Sequence, residues 1–593
     1  LAHGGPAAVG AGGGAGREVR GSSVRPPVTA APSGAGPAAR EPASRGGSAL
    51  ARSTGLLAAG TFLSRLTGFA RVAVAAAIFG LSGLADAYNF ANSVPNIVYD
   101  LLLGGILSAT LIPVFVDELR RDDHDAGDRA ISAVLTMIAV ALLGLTLVLY
   151  GLAPLVIRLY LVLNHTAIKG DDLAVGTSLL RLFAPQVFFL GAIVVSAALL
   201  NARRQFAAAA FSPVVNNVIA IAALVVTDRI APTLAVGPFR HDPRGLLVLG
   251  LGTTLGYVVQ FVVQLPAMAR AGLHLRPVWQ PTHPAVRRVA GLSAWLFGVV
   301  LANQVAYNLI LVLAGSHNGQ YTAYQLAYQF FQLPYALFAV SIASAIMPDL
   351  AERWSARDLT AFLSRLITGL RVTLALLVPA AIGYALVAGP VVELAVRHGA
   401  VGATGAADLG RTLQFFALGL PGFSAFLPLV RGLQAMKDTR AMFFVYLVEN
   451  ALTVLLAFAL YPSLGDRGLA LAFVAPYTVA AIVTARYIRR RVGALGGVYT
   501  ARSIGRVAVA TAVMAAAITG VGHLLPHGDG DAVLALRLVV EIALGAGVYL
   551  LLARWLGIDD LQPVLRPAAA LLTRVGLHPA GATDGSDADG GRP

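Results

Sequence analysis

The stretch from Leu56 to Glu118 constrains this chain most. It holds two apolar runs, each long enough to cross a bilayer, with a short break near Leu81–Ala85. Arg65, Arg71, Asp86 and Asp100 lie inside or at the ends of those runs. A charge near the bilayer centre costs about 2.5–3.5 kcal/mol on insertion scales. Four such charges in one hairpin need a purpose that offsets that cost.

The rest of the 593 residues repeats the apolar pattern. Hydrophobic residues make up 57% of the chain and charged residues 12%, against about 25% charged in soluble domains. The segments are continuous runs rather than alternating strands, which excludes a closed β-barrel and leaves membrane-spanning α-helices. Windows near the length of one span predict fourteen of them, with Pro95, Pro185, Pro334 and Pro421 marking kinks. The net charge of +14 sits in loops between spans, so the reading includes no nucleic-acid partner. Arginines concentrate in the loops after even-numbered spans, such as Arg353 and Arg357, Lys437 and Arg440, and Arg489–Arg491. That bias predicts a multi-pass protein of a bacterial cytoplasmic membrane with both termini in the cytoplasm. The absence of cysteine excludes disulfides and thiolate chemistry. No catalytic triad, phosphate-binding loop or zinc motif is present, so a transporter is expected rather than an enzyme, with no cofactor.

The intramembrane polar groups are the candidate site. Arg65 and Arg71 are six positions apart, about 120° off a common helix face. A bend at Gly68 would bring both toward one cavity, where guanidinium forks suit phosphate oxygens. Asp86 follows the break and could cap the second helix. Asp100 lies deeper and is expected to pair with an arginine if ionised. Asn89, Asn92 and Asn96 add polar groups along the same span. Arg181 lies in the fourth span beside Pro185. In the eighth, Gln325, Tyr328, Gln329 and Gln332 recur at three- and four-residue steps, a stripe facing a wet cavity or another helix. Glu449 and Asn450 lie midway along the eleventh span, a candidate cation or proton site. Gly252-x-x-x-Gly256 reads as a helix-packing motif.

Several of these residues stand in a recognisable order. Ser64-Arg65 with Gly68-Phe69-Ala70-Arg71, then Ala85-Asp86-Ala87-Tyr88, Val94-Pro95-Asn96, Gly105-x-x-Ser108 and Pro113, resemble the MurJ (MviN) family of lipid II flippases. That family lies in the multidrug/oligosaccharidyl-lipid/polysaccharide exporter superfamily. Phe211-Ser212-Pro213, Leu333-Pro334, Gly389-Pro390, His398-Gly399 and the Arg431–Arg440 segment continue the resemblance, over roughly residues 54–556. It implies an all-α membrane protein of about fourteen helices. In that scheme residues 1–53 and 561–593 are disordered tails. Residues 54–280 and 281–492 form two six-helix lobes around a central cavity, and 493–560 two groove helices. The implied activity is to flip the lipid-linked peptidoglycan precursor between leaflets by alternating access. The implied partners are lipid II, membrane lipids and cell-wall assembly proteins. Coupling to membrane potential, Na+ or H+ stays open. Carried over by position, Ser64, Arg65, Arg71 and Asp86 match important family positions and are expected to bind substrate, with Asn96, Gln329 and Arg181 beside them. Some members have arginine where this chain has Tyr99, Asp100 and Gln329, so its cavity is less cationic. The rivals are a same-fold exporter of another lipid-linked glycan or a drug, and a transport-inactive scaffold for cell-wall assembly.

Overall fold

The computed structural model describes residues 44–103, 115, 124–163, 170–203, 205–270, 276–284, 294–315, 319–396, 400–493, 497–525 and 530–561. Most of both expected tails, the Gly105–Pro113 part of the resemblance and His398 lie outside these residues. From Ser53 onward the chain packs as one unit.

Among the described residues every regular element is helical. A backbone in hydrocarbon must satisfy its own hydrogen bonds, and apolar runs of this length do so as helices. The first half comprises α1 (Ser44–Phe79), α2 (Gly83–Leu103), α3 (His124–Leu163), α4 (Gly170–Phe183), α5 (Gln186–Ala202), α6 (Phe206–Ile230) and α7 (Pro243–Val262). The second comprises α8 (Ala294–Ala314), α9 (Gln320–Pro334), α10 (Val340–Ser355), α11 (Leu359–Val396), α12 (Gly402–Leu418), α13 (Leu420–Ala435), α14 (Thr439–Leu464) and α15 (Asp466–Val492). The helices α16 (Gly497–Leu524) and α17 (Asp531–Trp555) pack on each other and on α11. Eleven described helices are long and apolar enough to cross a membrane, or twelve if the bent pair Thr404–Leu418 and Leu420–Ala435 is one span. The expected fourteen is not reached at that count. The helices at the first two expected spans, α1 and α2, are outside the set.

Proline breaks the helices where its missing N–H and ring bulk demand it. Pro185 separates α4 from α5, and Pro334 precedes a π-helical turn at Tyr335–Ala339. Pro421 lies in the first turn of α13, just past the 45° bend. Pro95 lies inside α2, which is continuous around it.

Small residues and amides set the packing of the first half. A Cβ on Gly252 would lie 2.5 Å from that of Ala223, and one on Gly256 would lie 2.3 Å from Asn216 Oδ1. The Gly252-x-x-x-Gly256 face therefore seats α7 against α6. Two rungs one turn apart join α6 to α7 and to the turn that follows it. Asn216 Nδ2 donates to Gln260 Oε1 (3.0 Å) and Gln264 Nε2 to Ser212 Oγ (3.0 Å). The second half is packed around rings instead. Phe331 stacks on Phe416 with centroids 5.2 Å apart, and Phe423 lies edge-on to Tyr477 at 4.5 Å. The α16–α17 hairpin is pinned by a buried ion pair, Arg371 to Asp560 (2.7 Å), with Ser503 Oγ also donating to that carboxylate (2.7 Å).

A polar cavity between two halves

The two halves meet along α2, which packs on α8 and α9. Between them lies a cavity of about 330 Å3. The first half contributes Arg71 from α1 and Asn89, Asn92, Asn96 and Asp100 from one stripe of α2. The second contributes Gln304 and Asn308 from α8 and Thr322, Gln325 and Gln329 from α9. Arg71 has no hydrogen bond or ion pair with any described residue. Asp100 accepts from Gln304 Nε2 (3.2 Å) rather than from the expected arginine. Asn92 Oδ1 is buried without a partner. The cavity thus offers one free guanidinium amid many neutral amides. Amides both donate and accept, so they suit a ligand rich in hydroxyl and amide groups.

One end of the cavity is closed, and Asp86 closes it. This residue is 7% exposed. Its Oδ2 accepts from Gly319 N–H (2.6 Å), and its Oδ1 accepts from Thr322 N–H (3.0 Å) and Thr322 Oγ1 (2.7 Å). Asp86 therefore does not cap its own helix; it caps α9 across the interface. The N-cap of α9 is Gly319, which has no side chain for the task. A helix start lacking its own acceptor was the signal for this contact, and reading α2 alone missed it. The backbones also touch at this end. Ala400 N–H donates to Ala77 C=O (3.0 Å). Gly80 and Gly319 take φ of +61° and +86°, and a Cβ on either would come within 2.5 Å of a carbonyl oxygen of the facing half. Asn89 Nδ2 donates to Thr322 Oγ1 (3.1 Å), and the Ser93 and Tyr321 hydroxyls share a bond (3.1 Å).

The remaining candidates separate. Arg71, Asn96 and Gln329 line the cavity. Ser64 is half-buried and Arg65 exposed; neither lines the cavity. The helix α1 is continuous through Gly68, and only Arg71 of the two arginines reaches the cavity. The bare side of Gly68 instead admits Asn217, whose Nδ2 donates to Ser64 C=O (3.2 Å) and Thr67 Oγ1 (3.1 Å). Arg181 does not reach the cavity: it is exposed, with its guanidinium 5.4 Å from the Tyr150 ring centroid. Its position near the C-terminal end of α4 turns it away from α2.

Glu449 and Asn450 meet inside the second half, behind the cavity wall. Glu449 is 1% exposed; Thr453 Oγ1 donates to its Oε1 (3.1 Å), and the Tyr477 hydroxyl of α15 is a second hydrogen-bonding neighbour. Asn450 Nδ2 donates to Asn303 Oδ1 on α8 (2.8 Å). Among the described residues no three His, Cys, Asp or Glu side chains cluster as a metal site.

Comparisons with known proteins agree with this geometry. Residues 75–539 match the family described as lipid II flippase MurJ. The lipid II flippase MurJ of Burkholderia cenocepacia is 27% identical over 416 residues, covering 69% of this chain and 78% of that protein. A probable lipid II flippase MurJ of Rhizobium tropici is 25% identical over 515 residues, covering 85% and 94%. A solved lipid II flippase MurJ in an inward closed conformation superposes with a TM-score of 0.68 at 19% identity, covering 84% of this chain and 98% of that one. An inward-facing multidrug MATE transporter of the MOP superfamily shares the fold more distantly, with a TM-score of 0.58 at 15% identity, over 73% and 96%. With the family match spanning most of its length, this multi-pass membrane chain belongs to the lipid II flippase MurJ family.

Proposed function

We propose that this protein flips lipid II from the inner to the outer leaflet of the cytoplasmic membrane by alternating access. The observation that carries the reading is Arg71, an unpaired guanidinium in a polar cavity between two halves, closed at one end. A diphosphate is multiply charged and cannot cross hydrocarbon unaided. Arg71 supplies a charge-assisted fork for its oxygens. The amides of Asn89, Asn92, Asn96, Gln304, Asn308 and Gln329 offer hydrogen bonds to the sugars and peptide. No bond in the substrate is made or broken, so the protein is a transporter and not an enzyme. Arg65 and Ser64, beyond the cavity lining on the same helix, are entry contacts in this scheme.

The arginine-rich turns after α10, α13 and α15 favour the cytoplasm for that end of the second half. The Asp86 end then faces outward. Release outside requires the Asp86 bonds to break, and a matching closure to form at the other end. Glu449 with Asn450 is the proposed coupling site for H+ or Na+, separate from the cavity that takes the headgroup.

The test is depletion of the protein in its host, complementation with variants, and assay of lipid II in the outer leaflet. Wild type restores it. Arg71→Ala loses a charged hydrogen-bonding partner worth about 1.5–3 kcal/mol, a reduction of about 10- to 150-fold. Arg65→Ala loses less. Full restoration by Arg71→Ala at equal expression rejects the cavity as the headgroup site.

A further inference from the structure

Six described glycines and two other residues have positive φ. The two are Arg357 (φ 58°) and Lys437 (φ 57°). Left-handed backbone crowds any side chain, and asparagine or aspartate are its usual non-glycine occupants. Here both occupants are cations.

They also occupy the same position of the same turn. After α10, Arg357 N–H donates to Trp354 C=O (3.1 Å) and Asp358 N–H reaches back to Arg353 C=O (3.0 Å). Asp358 then caps α11 by accepting from Ala361 N–H (2.9 Å). After α13, Lys437 N–H donates to Gln434 C=O (3.0 Å) and Asp438 N–H to Leu433 C=O (3.0 Å). Asp438 caps α14 by accepting from Ala441 N–H (3.0 Å). The two helical hairpins thus share one hydrogen-bond pattern, helix end followed directly by helix start. The helices α10, α11 and α13 pack on one another, so both turns lie at one end of the second half.

Both side chains are exposed, and neither has a partner among the described residues. Their neighbours differ. Asp349 pairs with Arg353 and Arg365 (2.7 Å each), and Asp438 pairs with Arg491. Glycine would form either turn at lower cost. The dipole at a helix C-terminus rewards a cation in the last turn, but Arg353 already fills that place in α10. The left-handed residue stands beyond the last turn, directly beside the end of a helix, or bent helix pair, long and apolar enough to span, and a span's end is where hydrocarbon gives way to headgroups. A cation there gains from anionic phosphodiesters at short range.

We propose that Arg357 and Lys437 form a paired binding site for the phosphate headgroups of anionic phospholipids in the leaflet at this end of the molecule. Arg357 brings a planar fork for two phosphate oxygens, and Lys437 a compact charge. The site is separate from the central cavity and takes bulk lipid rather than transported lipid.

The experiment uses the full chain in nanodiscs of phosphatidylcholine, with or without phosphatidylglycerol, and reads the melting temperature. Phosphatidylglycerol raises the melting temperature of wild type. Arg357→Gln/Lys437→Gln loses most of that gain. Arg489→Gln/Arg490→Gln, which removes the same charge from the same end, keeps most of it. Arg357→Gly/Lys437→Gly relieves the backbone as well, so it melts at or above wild type in pure phosphatidylcholine yet loses the gain. Equal losses in the two glutamine pairs overturn the proposal in favour of general surface attraction. A gain reproduced by inorganic phosphate in phosphatidylcholine discs overturns it in favour of a free anion.

Discussion

Each half of this protein buries a carboxylate, and the two are treated in opposite ways. Asp86 in the first half takes three donors, all from the second half. Glu449 in the second half is served from within that half, by Thr453 a turn further along its own helix and by the Tyr477 hydroxyl of α15. Desolvating a carboxylate costs several kcal/mol unless hydrogen bonds return it. At Asp86 the return comes only when the halves are together, so that carboxylate belongs to the joint. At Glu449 the return comes from within one half and does not depend on how the halves meet. In the proposed cycle Asp86 marks which end is shut, and Glu449 is the candidate ion site.

Asp86→Ala should have the largest effect on this contrast. It strands Gly319 N–H and the two donors of Thr322, about 1–3 kcal/mol for each buried donor left unpaired. Three such donors total about 3–9 kcal/mol, so the closed state should lose population by at least about 150-fold. The chain has no cysteine, so Ala76→Cys, on the cavity wall, gives a clean label. Its reaction with an impermeant thiol reagent added at the closed end should accelerate in the Asp86→Ala background. Unchanged labelling would show that backbone contacts alone hold this end.

Glu449→Gln should act differently. The amide keeps an acceptor for Thr453 but cannot bind or release a proton. Closed-end labelling should stay as in wild type, while transport in vesicles loses its dependence on pH or Na+. If this variant instead opened the closed end as Asp86→Ala does, the two carboxylates would share one role.

The smallest effect is expected at Asp438, a third carboxylate at the start of α14. Burial works to raise it, but bonds from the Tyr487 hydroxyl and Ala441 N–H, with the Arg491 charge, outweigh that and hold its carboxyl below the usual range. A lowered native value adds stability that is full above the unfolded carboxylate value. It is lost as pH falls through the native one. Asp438→Asn should therefore melt slightly earlier than wild type at neutral pH, and the gap should close in strong acid.

The sequence carried the helices well because apolar length and proline act locally. Pro185, Pro334 and Pro421 each fall at a break or a π turn. The angular argument for Arg65 and Arg71 was also local: the two are on different faces, and only one lines the cavity. What the sequence did not reveal depended on distant partners. Gly68 looked like a hinge, but Asn217, far along the chain, uses its bareness as a contact. Asp86 looked like the cap of the helix it begins, yet the helix it caps starts 233 residues later. Arg181 had the right chemistry for the cavity, and the rotation of α4 points it elsewhere. Helix length is written in neighbours; which face meets which helix is not.

The main-chain seam at the closed end bears on how sequences of this kind can drift. At Gly80 and Gly319 one half is read by the other through carbonyl oxygens. Such a surface is blind to most side chains nearby, so those are free to change without altering closure. The exceptions are Asp86, whose loss strands its donors, and the two glycines, where any replacement is a wedge. A seam of this kind tolerates wide variation around a few fixed points, and a single methyl group at either glycine would hold it ajar.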